Sequence, residues 1–241
     1  MTELATRLRE GTSKSHTTAE NTAYMKCFLK GIMAREPFRK LMANLYLVYS
    51  ALEDEMRQHL DCPAVQGLYF PEIERQANLA EDLEFYYGEN WQAEIAPTDA
   101  GQQYVARIHE VATIDPALLI AHAYVRYMGD LSGGQGLKAI TRKALNLPPD
   151  RGTGLHEFAS LPTPEAQRAF KMSYRDALNA SPVTDAQIAA IVEEANLAFM
   201  LNREVMHSLE EDVKTAVGWP VFEAIVLGKD RQGSTETAAR H

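Results

Sequence analysis

Apolar residues recur at three- and four-residue steps along most of this chain. Over 38–60, Phe38, Leu41, Met42, Leu45, Val48, Tyr49, Leu52, Met56 and Leu60 trace one helical stripe. Over 188–213, Ile188, Ile191, Val192, Ala195, Phe199, Met206, Leu209 and Val213 trace another, with Asn202 set in its line. The strict alternation of a half-buried strand is absent. Helix starts are marked by Pro37, by Asp115-Pro116, by Thr163-Pro164, and by a capping box at Thr184 and Gln187. Pro71 predicts the opening of a helix that Gly88 closes, and Pro148-Pro149 the end of a segment begun at Pro116. Residues 148–162 read as a loop. The expectation is one all-α domain over 1–228, of about seven to nine helices, followed by a polar, mobile tail over 229–241.

Composition narrows the class. The chain has 241 residues, 46% hydrophobic and 24% charged, ordinary for a globular domain. Its 24 basic and 33 acidic residues leave a net charge of −9, which disfavours nucleic acid as a partner. Cys27 and Cys62 have neither disulfide nor metal spacing, so a reducing, cytoplasmic setting is expected. The apolar runs are too short for a bilayer span or a leader, so no membrane anchor is expected.

The segment AHAYVRYMGDLSGGQGLKAI (121–140) is helical on both sides yet holds Gly129, Gly133, Gly134 and Gly136. Each helical glycine costs about 1 kcal/mol relative to alanine, so the set forfeits roughly 3–4 kcal/mol. Three arrangements offset that cost: a broken helix, a tight helix crossing, or a flat ligand lying on bare backbone. Gly129 and Gly133 share a face, and Asp130 stands between them as a carboxylate able to order water.

The histidines are 16, 59, 109, 122, 156, 207 and 241. A carboxylate-bridged di-iron bundle needs two ExxH motifs, and only Glu204–His207 has that spacing. His16 has Glu20 four residues on, either a surface ion pair or a metal-ligating imidazole with its carboxylate partner. His122 reads as a core residue, and His59 and His109 as solvated.

Taken together, LREGTSKSHTTAEN, NLYLVYSALEDEM, YFPEIERQANLAEDLEFYYG, LLIAHAYVRYMGDLSGGQ, FKMSYRDALN and EEANLAFMLN resemble the haem oxygenase family over about residues 4–215, most nearly its soluble cyanobacterial members. The resemblance implies haem sandwiched between a proximal helix and a kinked distal helix. It makes His16 the iron ligand, with Glu20 beside it, and places Gly129 and Gly133 over the distal face. Asp130 becomes the distal carboxylate, supported by Tyr49, Tyr124 and Arg126. Arg9, Lys171 and Arg175 match positions near the propionates, and Phe199 and Asn202 positions lining the pocket. Gly136 departs from the bulkier apolar residue common in relatives, and Arg9 from a lysine.

The implied reaction is oxidative opening of haem b, at once cofactor and substrate, by dioxygen and external electrons. Its products are biliverdin IXα, ferrous iron and carbon monoxide. The chain has no dinucleotide, flavin or iron–sulfur motif, so a ferredoxin or another reductase is expected to supply electrons at a basic face around Arg9, Lys14, Lys171 and Arg175. A bilin reductase is the expected consumer of the product. The competing readings are a non-catalytic haem-binding or storage protein of the same fold, and a related bundle acting on another small molecule.

Overall fold

The computed structural model describes residues 4–231 and 233, which form helices and no strand. In chain order these are α1 (Leu4–Glu20), α2 (Ala23–Leu29), α3 (Arg35–Gln58), α4 (Pro63–Gln66), α5 (Gln76–Tyr87), α6 (Trp91–Glu94), α7 (Asp99–Ile114), α8 (Leu119–Leu145), α9 (Pro164–Ala180), α10 (Asp185–Ser208), α11 (Glu210–Val217) and α12 (Trp219–Val226). The sequence expectation undercounts them. Helices α4 and α6 have four residues each, too short for a periodic stripe to register. The stripe read from 188 to 213 also breaks at Leu209, where the backbone leaves the helical region between α10 and α11.

The punctuation works largely as the side chains dictate. Thr184 and Gln187 form the reciprocal capping box, and Thr163 caps α9 by accepting from the Ala166 amide. Asp115 accepts from the Ala117 amide, and a 3₁₀ turn at Pro116–Leu118 leads into α8. Asn146, in the left-handed region at φ 50°, ends that helix before the prolines. Pro71 does not open α5. It opens a separate 3₁₀ turn, Pro71–Ile73, and α5 starts at Gln76. The reason lies in α3: the Glu53 carboxylate accepts from the Arg75 and Gln76 amides at 2.5 and 3.2 Å and so fixes where α5 begins.

Helices α3, α8 and α10 carry the core. Val48, Tyr49 and Leu52 of α3, Ile120, Ala121 and Ala123 of α8, and Ile191, Ala195 and Ala198 of α10 are all fully buried. Helix α10 packs against both α1 and α8. Its hold on α1 is close, because a Cβ on Gly11 would come within 2.5 Å of Val192. Asn196 of α10 donates to the Gly11 carbonyl at 3.1 Å and accepts from the Ser15 hydroxyl at 2.5 Å. At the other end of the chain, Asp230 pairs with Lys26 at 2.6 Å, and Arg231 exchanges two backbone hydrogen bonds with the Asn21 side chain. The rest of the tail expected over 229–241, apart from Gly233, lies outside the described residues.

Candidate functional site

Helix α8 runs through all four glycines without interruption, which removes the broken-helix reading. A Cβ added at Gly129, Gly133 or Gly136 would meet nothing within 4 Å, so no helix crosses there. What is left is a stretch of bare helical backbone facing open space. Gly134 differs: its Cβ would lie 3.1 Å from the Nδ1 atom of His156. Adjacent glycines therefore serve different sides of one helix, one open and one packed.

Beside the open face lies a buried polar cluster built from three helices. The Tyr49 hydroxyl of α3 donates to the Asp130 carboxylate of α8. The same hydroxyl accepts from Arg126 Nε at 3.2 Å, and the guanidinium carbon lies 5.1 Å from the Tyr49 ring centroid. Arg126 Nη1 donates to Asn202 Oδ1 of α10 at 2.6 Å, while Nη2 stands 4.0 Å from Asp130. Burial pushes the Tyr49 hydroxyl far above its ordinary range, so it remains a donor. Burial would lower the Arg126 pKa, but Tyr49 and Asp130 raise it overall, and the side chain stays charged. Tyr49 is held by both Asp130 and Arg126, and Arg126 by both Tyr49 and Asn202, so the Asp130 carboxylate is fixed in place between Gly129 and Gly133 in the sequence of α8.

Helix α10 joins this cluster to α1. Phe199 lies three residues before Asn202, and its ring meets the His16 imidazole edge-on at a centroid distance of 5.6 Å. His16 Nδ1 is 3.8 Å from Glu20 Oε1, beyond direct hydrogen-bond reach. His16 and Arg126 thus stand on two different helices packed on one face of a third. Tyr124 of α8 reaches across to the Thr12 side chain of α1. Burial raises its hydroxyl, which Thr12, Arg175 and Arg9 pull back down. Lys171 lies beside Arg175, and its pKa is lowered by burial and by the like charges of Arg175 and Arg168. Arg9, Lys171 and Arg175 make no ion pair with a carboxylate among the described residues, which leaves a cationic rim at this end.

The remaining histidines among the described residues fall elsewhere. His122 is fully buried and meets Glu194 at 3.1 Å, as a core residue should. His59 and His109 both meet Glu55 at the surface. His207 pairs with Glu210 at 2.6 Å, and no cluster of three or more His, Cys, Asp or Glu side chains suits a metal ion among the described residues.

Sequence reasoning missed the layer behind α8. Arg75, almost fully buried, donates to the Glu157 carbonyl at 2.5 Å and lies 4.0 Å from the Phe158 ring centroid. Asp82 accepts from the Gly154 and Leu155 amides at 2.9 Å each. Burial pushes Asp82 up to about 6 and Glu53 up to about 7, although these backbone bonds pull both down. The loop over 148–162 is therefore bolted to α5, and it delivers His156 to Gly134. Nothing in a polar, turn-rich stretch announces such a contact.

Comparison with known proteins gives a consistent picture. A family model described as "Heme oxygenase" matches residues 2–208. The chain is 58% identical over 236 residues to heme oxygenase 2 of Synechocystis sp. PCC 6803, covering 98% of this chain and 94% of that one. It is 45% identical over 210 residues to heme oxygenase 1 of Pongo abelii, covering 87% and 72%. Among solved structures, the Synechocystis heme oxygenase-2 complex with heme and NO superposes with a TM-score of 0.96 over 98% of this chain and 96% of that one, at 58% identity. The Synechocystis heme oxygenase-1 complex with heme gives 0.87 over 92% and 99%, at 48% identity.

Proposed function

The chain belongs to the haem oxygenase family, and from that premise we propose that it cleaves haem at the α-meso carbon with dioxygen and external electrons, yielding biliverdin IXα, ferrous iron and carbon monoxide. The observation that carries this reading is the open glycine face of α8 beside a fixed carboxylate. The residues fit a flat, dianionic, iron-containing ligand. Bare backbone at Gly129 and Gly133 suits a macrocycle face, the imidazole of His16 beside Phe199 suits an iron, and Arg9, Lys171 and Arg175, without an ion pair among the described residues, suit two carboxylates.

When bound, haem supplies both the iron that takes up dioxygen and the ring that is oxidised. His16 of α1 would hold the iron. Glu20, 3.8 Å from the His16 Nδ1 atom, would be the carboxylate beside the ligating ring. Gly129 and Gly133 keep side chains off their face of α8 and would leave room there for a small gas beside the bound ring. Tyr49 and Arg126 orient Asp130, whose carboxylate orders water and passes protons toward that face. Asn202 fixes the Arg126 headgroup from α10. Lys171, Arg175 and Arg9 set the rotation of the macrocycle and hence which meso carbon is attacked.

Electrons come from an acidic carrier such as ferredoxin, which docks on the rim of Arg9, Lys14, Lys171 and Arg175, and a bilin reductase takes up the product. The unpaired Cys27 and Cys62 suit the reducing cytoplasm. No helix among the described residues is long and apolar enough to cross a membrane. The test is anaerobic haem titration followed by dioxygen, ferredoxin and its reductase. A Soret band that decays to a bilin spectrum is the expected result. A Soret band that persists would make the chain a haem-binding protein and refute the reading.

A further inference from the structure

His156 is buried, with 5% of its surface exposed, and its Nδ1 atom has no hydrogen-bond partner. An unpaired buried nitrogen is destabilising, and an apolar side chain of the same volume would avoid that cost. The imidazole is nonetheless held firmly. Its amide donates to the Thr153 carbonyl at 3.0 Å, and its carbonyl accepts from Gln135 of α8 at 3.2 Å. Arg75 and Asp82 fix the residues on either side. The ring packs on Gly134, one helical turn from Asp130 and on the same flank of α8. Asp130, Arg126 and Lys138 of α8 and Arg75 ahead of α5 all act on it electrostatically, and burial keeps the ring neutral.

We propose that His156 is a positioning residue for Asp130: its unpartnered Nδ1 binds a buried water that hydrogen-bonds onward to the Asp130 carboxylate, extending the distal water chain behind α8. A neutral imidazole suits this place because it can accept from a water or donate to one according to its tautomer. The absence of a side chain at Gly134 is what lets the ring approach the helix. The inference rests on the distal role of Asp130 given above.

Two measurements test it. A crystal structure of the haem-loaded chain is expected to show an ordered water on His156 Nδ1 that links to Asp130. A dry contact between ring and helix would overturn the proposal. In kinetics, His156→Leu removes both ring nitrogens at similar volume, and His156→Gln keeps a polar headgroup. His156→Leu is expected to melt no lower than wild type as apoprotein, to leave the KM for haem unchanged, and to lower kcat by about tenfold, as for loss of an outer hydrogen-bond partner. His156→Gln should recover most of that loss, and in an Asp130→Asn background His156→Leu should cost nothing further. Equal losses in the Leu and Gln variants, or a full loss persisting beside Asp130→Asn, would overturn it. Failure of the wild type to bind or degrade haem would instead refute the assigned function.

Discussion

Gly133 and Gly134 are neighbours in sequence, yet alanine should act oppositely at the two. At Gly133 the new methyl group meets no atom within 4 Å and lies on an exposed part of α8. The helix gains the intrinsic preference for alanine, about 1 kcal/mol. For a chain of this size, that raises the melting temperature by about 2–4 °C. At Gly134 the methyl group comes to 3.1 Å from His156 Nδ1 and 3.6 Å from its Cβ and Cγ. That ring is pinned by its loop, so overpacking of about 1–3 kcal/mol cancels or exceeds the helical gain. Thermal denaturation of the apoproteins at 222 nm separates the two. Gly133→Ala should melt higher than wild type and Gly134→Ala should not. The price of the more stable helix should appear in function, because the methyl group occupies the face on which the macrocycle lies. A Gly133→Ala protein that melts lower, or that melts higher and still degrades haem at the wild-type rate, would refute the reasoning.

Asp130→Ala should bind haem with a normal Soret band but lose most biliverdin formation, on the order of 10²-fold for a lost proton-delivery group; an unchanged biliverdin yield removes Asp130 from the mechanism. Lys171→Ala and Arg175→Ala should alter the ratio of biliverdin isomers, read by chromatography of the products, and an unaltered ratio would detach these cations from haem orientation. Glu194 accepts from Arg107 at 2.6 and 3.1 Å and meets His122 at 3.1 Å; burial would raise its pKa, but these bonds hold it at about 2. A depressed carboxylate stabilises the fold above its unfolded value of about 4.3, so Glu194→Gln should cost roughly 2–3 kcal/mol at pH 7. That deficit should shrink as pH falls from about 4.3 toward 2, measured by urea denaturation, and a deficit constant across this range would contradict the assignment.

The helical stripes, the caps at Thr163 and Thr184, and the odd glycine content of α8 were all legible in the sequence, because each is a local signal with a local cause. In the distal cluster, Asp130 stood out by its place among the glycines, whereas Tyr49, Arg126 and Asn202 came from resemblance alone. No spacing rule relates Tyr49 to Asp130 or Arg126 to Asn202, since those contacts depend on how α3, α8 and α10 cross. Among the readings first open for the glycines, only the surroundings of each Cα decide, and they distinguish Gly133 from Gly134 where composition cannot. Glu53, Arg75 and His156 were invisible for the same reason. A charged or ring residue in a polar segment reads as solvated until another part of the chain closes over it.

The central claim is that one imidazole of α1 holds iron opposite a bare helix face. Haem complexes of wild type and His16→Ala, compared by resonance Raman and visible spectroscopy, test it most directly. The account predicts that the iron–histidine stretch disappears in the alanine variant and that added imidazole restores the wild-type coordination spectrum; a His16→Ala complex spectrally identical to wild type would contradict it.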